Sequence, residues 1–305
     1  MDYESFAAYI AEYLEMEYDD LNVEPVSILK NNDVTFRGLT LYREDNNVAP
    51  TIYLDDFYTS YMNAEIDITT ICEKVEEIYE KSREEAFFDT ENLTDYENVR
   101  KRIICKLINY ERNIEFLDTV PFKKVMDLAV IFQIVVSLKQ QSVCGTINVS
   151  NDMLRVWDVS LDQLYENAVL NSVLMRPFII RPIVEVLRDM LIQKGADPAD
   201  LKDAEEFECP MEIASNTSNQ NGAAVMLYPG LLEQYARACE SDYYILPSSV
   251  HELIFIPKRY YDDYEDLIPL VKEVNETQVK REEFLSNSIY YYEKGSEAPV
   301  ILYQG

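Results

Sequence analysis

The sequence predicts an α+β fold, with mixed or antiparallel sheets, packed helices and two to three subdomains. Three observations carry this. Helical periodicity and strand-like runs are interspersed without the regular βαβ rhythm of a parallel sheet. Hydrophobic residues make up 48% of the 305, a level typical of a packed core rather than a disordered chain. Acidic, turn-rich stretches at 84–98 and 196–208 divide the chain into three blocks: 1–90, 99–195 and 209–305.

In the first block, Phe6, Tyr9, Ile10, Tyr13 and Leu14 recur at three-to-four spacing and predict an amphipathic helix. Strand-like runs follow at 26–29, 34–42 and 51–54, the middle one bounded by Asp33 and by a turn at Asn46-Asn47. A second helix is predicted over 68–81, with Ile71, Val75, Ile78 and Tyr79 inward. Either Thr70, three residues before Glu73, or Asp67 supplies its cap.

The second block opens with a predicted basic helix carrying Arg100, Lys101, Arg102 and Lys106 beside Val99, Ile103, Ile104 and Leu107. The apolar run 124–136 reads as a central buried strand that pairs with 145–149. Two helices are predicted at 150–157 and 160–172. Pro177 and Pro182 then break the chain, and a helix over 183–194 ends at Gly195.

In the third block a strand is predicted at 211–214, a polar loop at 215–221 and a helix at 231–239 with Leu231, Leu232, Tyr235 and Cys239 inward. A hairpin-like pair of runs spans 243–257, a helix lies near 269–279, and a last hairpin turns at Lys294-Gly295. Runs of tyrosine at 260–261 and 290–292 alternate faces if extended, so half of those rings pack and half are exposed.

Charge bounds the function. With 27 basic against 56 acidic residues the formal charge is −29, which repels phosphate backbones and anionic membranes. The five cysteines are widely spaced with no CxxC pair, so they read as small buried hydrophobes in a reducing compartment. The N-terminus has neither a basic nor an apolar leader region, and no apolar run is long enough to span a bilayer. A cytoplasmic protein is expected.

Several stretches form a set: Lys30-Asn31-Asn32, Ala49-Pro50-Thr51-Ile52-Tyr53-Leu54, Asp127-Leu128-Ala129-Val130-Ile131-Phe132 and Asn221-Gly222-Ala223-Ala224. The most specific is Leu246-Pro247-Ser248-Ser249-Val250-His251-Glu252. Together they resemble a family catalogued as a domain of unknown function and recurrent in gut Clostridia. The resemblance covers about residues 3–292 and implies a bacterial cytosolic protein with no assigned activity, cofactor or active site. In one place the chain departs from it: Ala214-Ser215-Asn216 stands where the resemblance leads one to expect a Thr-Asn pair.

His251, the only histidine, lies just after a Pro-Ser-Ser turn between two apolar runs. Ser248, Ser249, His251 and Glu252 therefore form the candidate binding site. Extended, Ser249 and His251 point to one face and Glu252 to the other. No G-x-S-x-G elbow accompanies them, so no catalytic residue is assigned. The glycines stand too far apart for a phosphate-binding loop, one histidine cannot build a multi-imidazole metal site, and the acids lack EF-hand spacing. No cofactor or metal is expected. The leading reading is a non-enzymatic protein-interaction module, its tyrosines suited to a contact surface. The alternative is an enzyme or small-ligand binder centred on the four residues named above. A third reading is an acidic DNA mimic or inhibitor.

Overall fold

The computed structural model describes residues 1–43, 49–85, 91–137, 144–193, 195, 209–261 and 263–305. They form two compact units, Met1–Thr94 with Val135–Ile147, and Asp95–Ile134 with Asn148–Gly305. The sheets are antiparallel and the helices pack on them, the α+β class expected. No helix among the described residues is long and apolar enough to cross a membrane.

In the first unit α1 (Tyr3–Glu17) is capped by the Asp2 carboxylate, which accepts the Ser5 N–H. Its buried stripe is Phe6, Ala7, Ile10, Ala11 and Leu14, whereas Tyr9 is 47% exposed. Of the two tyrosines predicted on this face Tyr13 packs at the edge of the core and Tyr9 does not, and Ala7 and Ala11, whose small side chains let the helix close on its neighbours, complete the stripe. Strands β1 (Asn22–Leu29), β2 (Thr35–Tyr42) and β3 (Thr51–Tyr53) form a sheet in that order. Pro25 is tolerated because β1 is an edge strand. Gly38 cannot be replaced freely: a Cβ there would lie 2.2 Å from the Ile52 carbonyl oxygen. Helices α2 (Asp55–Met62) and α3 (Ile68–Glu85) follow. Asp67 caps α3, accepting the Thr69 and Thr70 N–H groups, and Ile71, Cys72, Val75 and Tyr79 enter the core while Ile78 stays out. The turn predicted at Asn46-Asn47 and the stretch 196–208 lie outside the described residues, as do 86–90 within the stretch 84–98.

In the second unit the basic segment is not a helix. After the short α4 (Tyr96–Val99) and one 3₁₀ turn, β4 (Ile103–Asn109) pairs along its length with a neighbouring strand. Ile103, Ile104, Leu107 and Ile108 are all buried, so side chains on both faces of the segment need cover. A strand between two layers supplies that; a surface helix does not. The apolar run after 120 is likewise not one strand. A short α5 (Ile114–Leu117) leads to β5 (Phe122–Val125), a two-residue turn at Met126-Asp127, and β6 (Leu128–Ser137). Met126 takes the left-handed φ of 56° with neither Gly nor Asn to announce the turn. β6 is central, flanked by β4 and β5 and paired with β7 (Cys144–Asn148) as predicted.

Helix α6 (Asn151–Trp157) is capped by Ser150, and α7 (Leu161–Met175) by a capping box between Ser160 and Gln163. Polar groups stitch α7 to β4: the Asn171 amide donates to the Arg100 and Ile103 carbonyls, and the Cys105 N–H donates to Ser172 Oγ.

The larger sheet runs β13-β12-β10-β11-β9-β8. Its edge strand β8 (Phe178–Pro182) occupies the stretch that the two prolines were expected to break. α8 (Ile183–Gln193) follows directly, and Gly195 beyond it has φ 93°. β9 (Glu212–Asn216) carries Ser215 and Asn216 into the sheet, where a loop was predicted. β10 (Tyr243–Leu246) and β11 (Leu253–Pro257) form the expected hairpin, as do β12 (Ile289–Tyr292) and β13 (Val300–Tyr303).

α9 (Leu231–Ala238) covers one face of this sheet. Tyr235 meets the rings of Tyr243 and Phe255 at centroid distances of 4.7 and 4.8 Å, and Ala236 rather than Cys239 completes the buried side of the helix. α10 (Leu267–Thr277) covers the other face, with Leu267 and Val271 against Tyr244, Ile254 and Ile256. Tyr290 and Tyr292 are buried and Tyr291 is half-buried, so the alternation of faces holds but more of these rings pack than expected.

The two sheets of this unit meet at a buried acid. Asp127 Oδ2 accepts the hydroxyls of Ser286 (2.6 Å) and Ser288 (2.8 Å), and its Oδ1 accepts the Tyr290 hydroxyl. Burial and the neighbouring carboxylate push the Tyr290 hydroxyl far above the usual phenol range. All four side chains are buried. Replacing Asp127 by Asn puts an amide donor among three hydroxyl donors, and the expected loss is about 3 kcal/mol. Urea unfolding checks it, with Asp56→Asn, an exposed acid, as the control that stays unchanged.

Candidate functional site

The loop 247–252 joins β10 to β11 and is laced along its length to residues 283–286. Ser286 N–H donates to the Pro247 carbonyl (2.8 Å), Leu285 N–H to Ser248 (3.0 Å), and Val250 N–H to Glu283 (2.8 Å). These bonds turn Ser248 inward, where its hydroxyl donates to Asn275 Oδ1 on α10. Asn275 in turn donates to the Ser286 carbonyl (3.0 Å). Ser249 is buried as well, its Oγ accepting the His251 main-chain N–H (3.0 Å). Both hydroxyls thus hold the loop, each in a different direction.

His251 and Glu252 sit nearer the surface. The Asn221 N–H donates to the imidazole Nδ1 (3.2 Å), which leaves the proton of the neutral ring on Nε2. Nε2 stands 3.7 Å from Glu283 Oε1, and the side chain is 31% exposed. Behind it runs a chain of amides. Asn221 Nδ2 donates to Gln133 Oε1 (2.9 Å), and Gln133 Nε2 donates to Asn148 Oδ1 (2.8 Å). Ser215 Oγ donates to the His251 carbonyl (2.7 Å). Gly222 packs so closely that a Cβ would lie 2.0 Å from Ser215 Oγ. That contact accounts for the glycine at 222, and Asn221 before it takes a left-handed φ of 51°.

The structure therefore brings the four predicted residues together in one loop but does not aim them at one point. Ser248 faces α10, Ser249 faces the His251 main chain, and the imidazole Nδ1 is taken by a backbone N–H. Burial lowers the His251 pKa below its ordinary 6.5, with Lys106 and Lys280 acting in the same direction and Glu283 against them. Burial raises the Glu252 carboxyl above its ordinary 4.5, Glu283 adding to the effect and the Ser249 side chain opposing it.

Two clefts lie elsewhere in the same unit, and none of the four residues lines either. The first, about 550 Å³, opens between α9 and β8, with Phe178, Ile180, Glu212, Tyr235 and Arg259 on its walls. Tyr235 donates to Glu212 Oε2 (2.5 Å), and Arg259 is held by the Cys239 carbonyl and by the Tyr260 ring. The second, about 470 Å³, is more apolar and lies beside α7, with Val169, Leu170, Leu227 and Pro229 around it and Glu166 among its residues. Phe178, Leu231 and Gln234 line both. Sequence reading missed these clefts, though the short Phe-Ile-Ile run between Pro177 and Pro182 is the mark of an edge strand. Among the described residues no cluster of three or more His, Cys, Asp or Glu is placed to hold a metal ion.

Because it is the only histidine, the His251 ring proton can be followed by NMR without assignment. Its titration midpoint is expected below 6.5, and a midpoint at or above 6.5 overturns the burial argument. The folded pKa lies below the unfolded one, so protonation favours unfolding. The ring contributes nothing above 6.5 and destabilises the fold as pH falls through 6.5 to the lower folded value. Glu252 acts oppositely because its disfavoured charged form is the deprotonated one: its contribution is present below 4.5 and is lost as pH rises through the raised folded value. Stability of wild type relative to His251→Gln should therefore decline as pH falls below 6.5.

Compared with known proteins, the chain has no match among curated proteins or solved structures. A family model does match it, over residues 3–294, nearly the whole length. The reach of that match, through both units and past the 246–252 loop, means that the chain belongs to the family of unknown function DUF5688.

Proposed function

We propose that this protein is a cytosolic protein-interaction module and that the outer side of α7 with the start of β8 is its contact surface. One observation carries the reading. Leu170 and Leu174, one turn apart on α7, are 59% and 70% exposed, and Leu170 together with the 38% exposed Phe178 lines the 470 Å³ cleft. Exposed apolar side chains scattered singly are ordinary, but a contiguous set at the rim of a cleft marks a place where another surface is covered. The acidity of the chain supports a basic partner and works against nucleic acid.

A second reading, a small-ligand site around Ser248, Ser249, His251 and Glu252, is favoured by the part-exposed imidazole beside Glu283. It requires a ligand whose addition shifts the His251 ring resonance.

The leading reading is tested by cross-linking in native-host lysate, comparing wild type with Leu170→Asp/Leu174→Asp. Both positions are solvent-facing, so the change should leave the unfolding free energy within about 0.5 kcal/mol of wild type. A specific protein captured by wild type and lost by the folded variant is the expected result. Equal capture by both, or none by either, overturns the reading.

A further inference from the structure

We propose that the edge of β8 binds a short extended peptide of a partner protein by strand addition, the peptide carrying an apolar residue and, two positions along, a lysine or arginine. This rests on the interaction reading above and specifies the partner's chemistry.

β8 ends the six-stranded order and pairs only with β9 among the described strands. Thr217 N–H donates to the Pro177 carbonyl and Ile183 N–H to the Met211 carbonyl, so the odd-numbered residues turn their main chain toward β9. Phe178, Ile180 and Pro182 therefore turn theirs outward. Phe178 and Ile180 each offer an N–H and a C=O to an incoming strand; Pro182 offers only a C=O. Full pairing thus extends over two residues and then stops, which suits a short peptide rather than an open-ended sheet. A second copy of this chain is disfavoured because each copy carries −29.

The side chains agree with the main chain. Phe178, Ile180 and Pro182 point to the same face as Glu212 and α9, and together they line the 550 Å³ cleft. A strand laid against β8 would send the residues opposite Phe178 and Ile180 to that face, about 7 Å apart. Beside Phe178 is the apolar cleft of α7; beside Ile180 and Pro182 is the cleft holding Glu212. Main-chain bonds would supply affinity and the two clefts would select side chains. Of the charged groups lining the clefts, Glu166 and Glu212 attract a cation. Arg259 is already engaged with the Cys239 carbonyl and the Tyr260 ring.

The test uses the full chain and fluorescein-labelled nonapeptides with Leu and Lys at alternate positions in a threonine background, read by fluorescence anisotropy. Three comparisons decide it. The same peptide N-methylated at the Leu and Lys amides keeps its side chains but cannot donate, and should bind at least about tenfold more weakly. Glu212→Gln, which still offers Tyr235 an acceptor, should weaken the Lys peptide by about tenfold while leaving a peptide with norleucine for Lys unchanged. Raising salt should weaken the Lys peptide alone.

Equal binding of the methylated peptide, or no saturable binding by any, overturns strand addition. A concentration-dependent dimer lost on Ile180→Lys would assign the edge to a second copy and also overturn it. If peptides fail while a captured protein still depends on Leu170 and Leu174, strand addition falls and the interaction reading stands. If the capture fails as well, both fall.

Discussion

A carboxylate buried in a protein of charge −29 has to be met by donors, and Asp127 is met by three hydroxyls. A buried anion left unsatisfied costs several kcal/mol, so the geometry of everything that supplies those hydroxyls is constrained. Asp127 sits on the β5–β6 turn, and Ser286, Ser288 and Tyr290 lie before and on β12. One acid therefore registers the smaller sheet of the unit against the larger. It also helps to hold Met126 at a left-handed φ that a methionine does not adopt cheaply.

The consequence travels outward. Ser286 and its neighbours pair with Pro247, Ser248 and Val250, so the loop with the only histidine is positioned by the segment that Asp127 fixes. Ser248 and Asn275 complete the same buried polar network. Such networks are worth having only when every member is satisfied, because the low dielectric that strengthens them also punishes gaps. His251 ends up as the surface terminus of an ordered interior, its ring held by the Asn221 N–H.

The larger sheet shows a different economy of cover. α9 shields the central strands through Tyr235, and α10 shields the opposite face through Leu267 and Val271. Among the described strands β8 pairs only with β9 and ends the sheet, and the two clefts form beside it and α7. Glu212, the acid in a cross-strand row that otherwise runs Pro182, Phe255, Ile245 and Tyr290, is tolerated there because Tyr235 donates to it. That edge, with the exposed leucines of α7 near it, is where the contact with a partner is proposed.

Local periodicity by itself determined α1, α3, α7, α9 and the two C-terminal hairpins, because three-to-four spacing, Ser and Asp caps and paired apolar runs are short-range signals. It also identified the 246–252 loop, through Pro-Ser-Ser and a unique imidazole. Only tertiary structure decided that Ile103–Asn109 is a strand, since an apolar run covered on both faces has no period to read. Only it placed the turn at Met126-Asp127, where Asp127's three distant donors outweigh local preference. It alone turned Ser248 and Ser249 inward and set β8 at the end of the six-stranded order. Strand order is set by pairings up to about fifty residues apart and the Asp127 contacts by partners more than 150 away, and no local pattern of side chains encodes them.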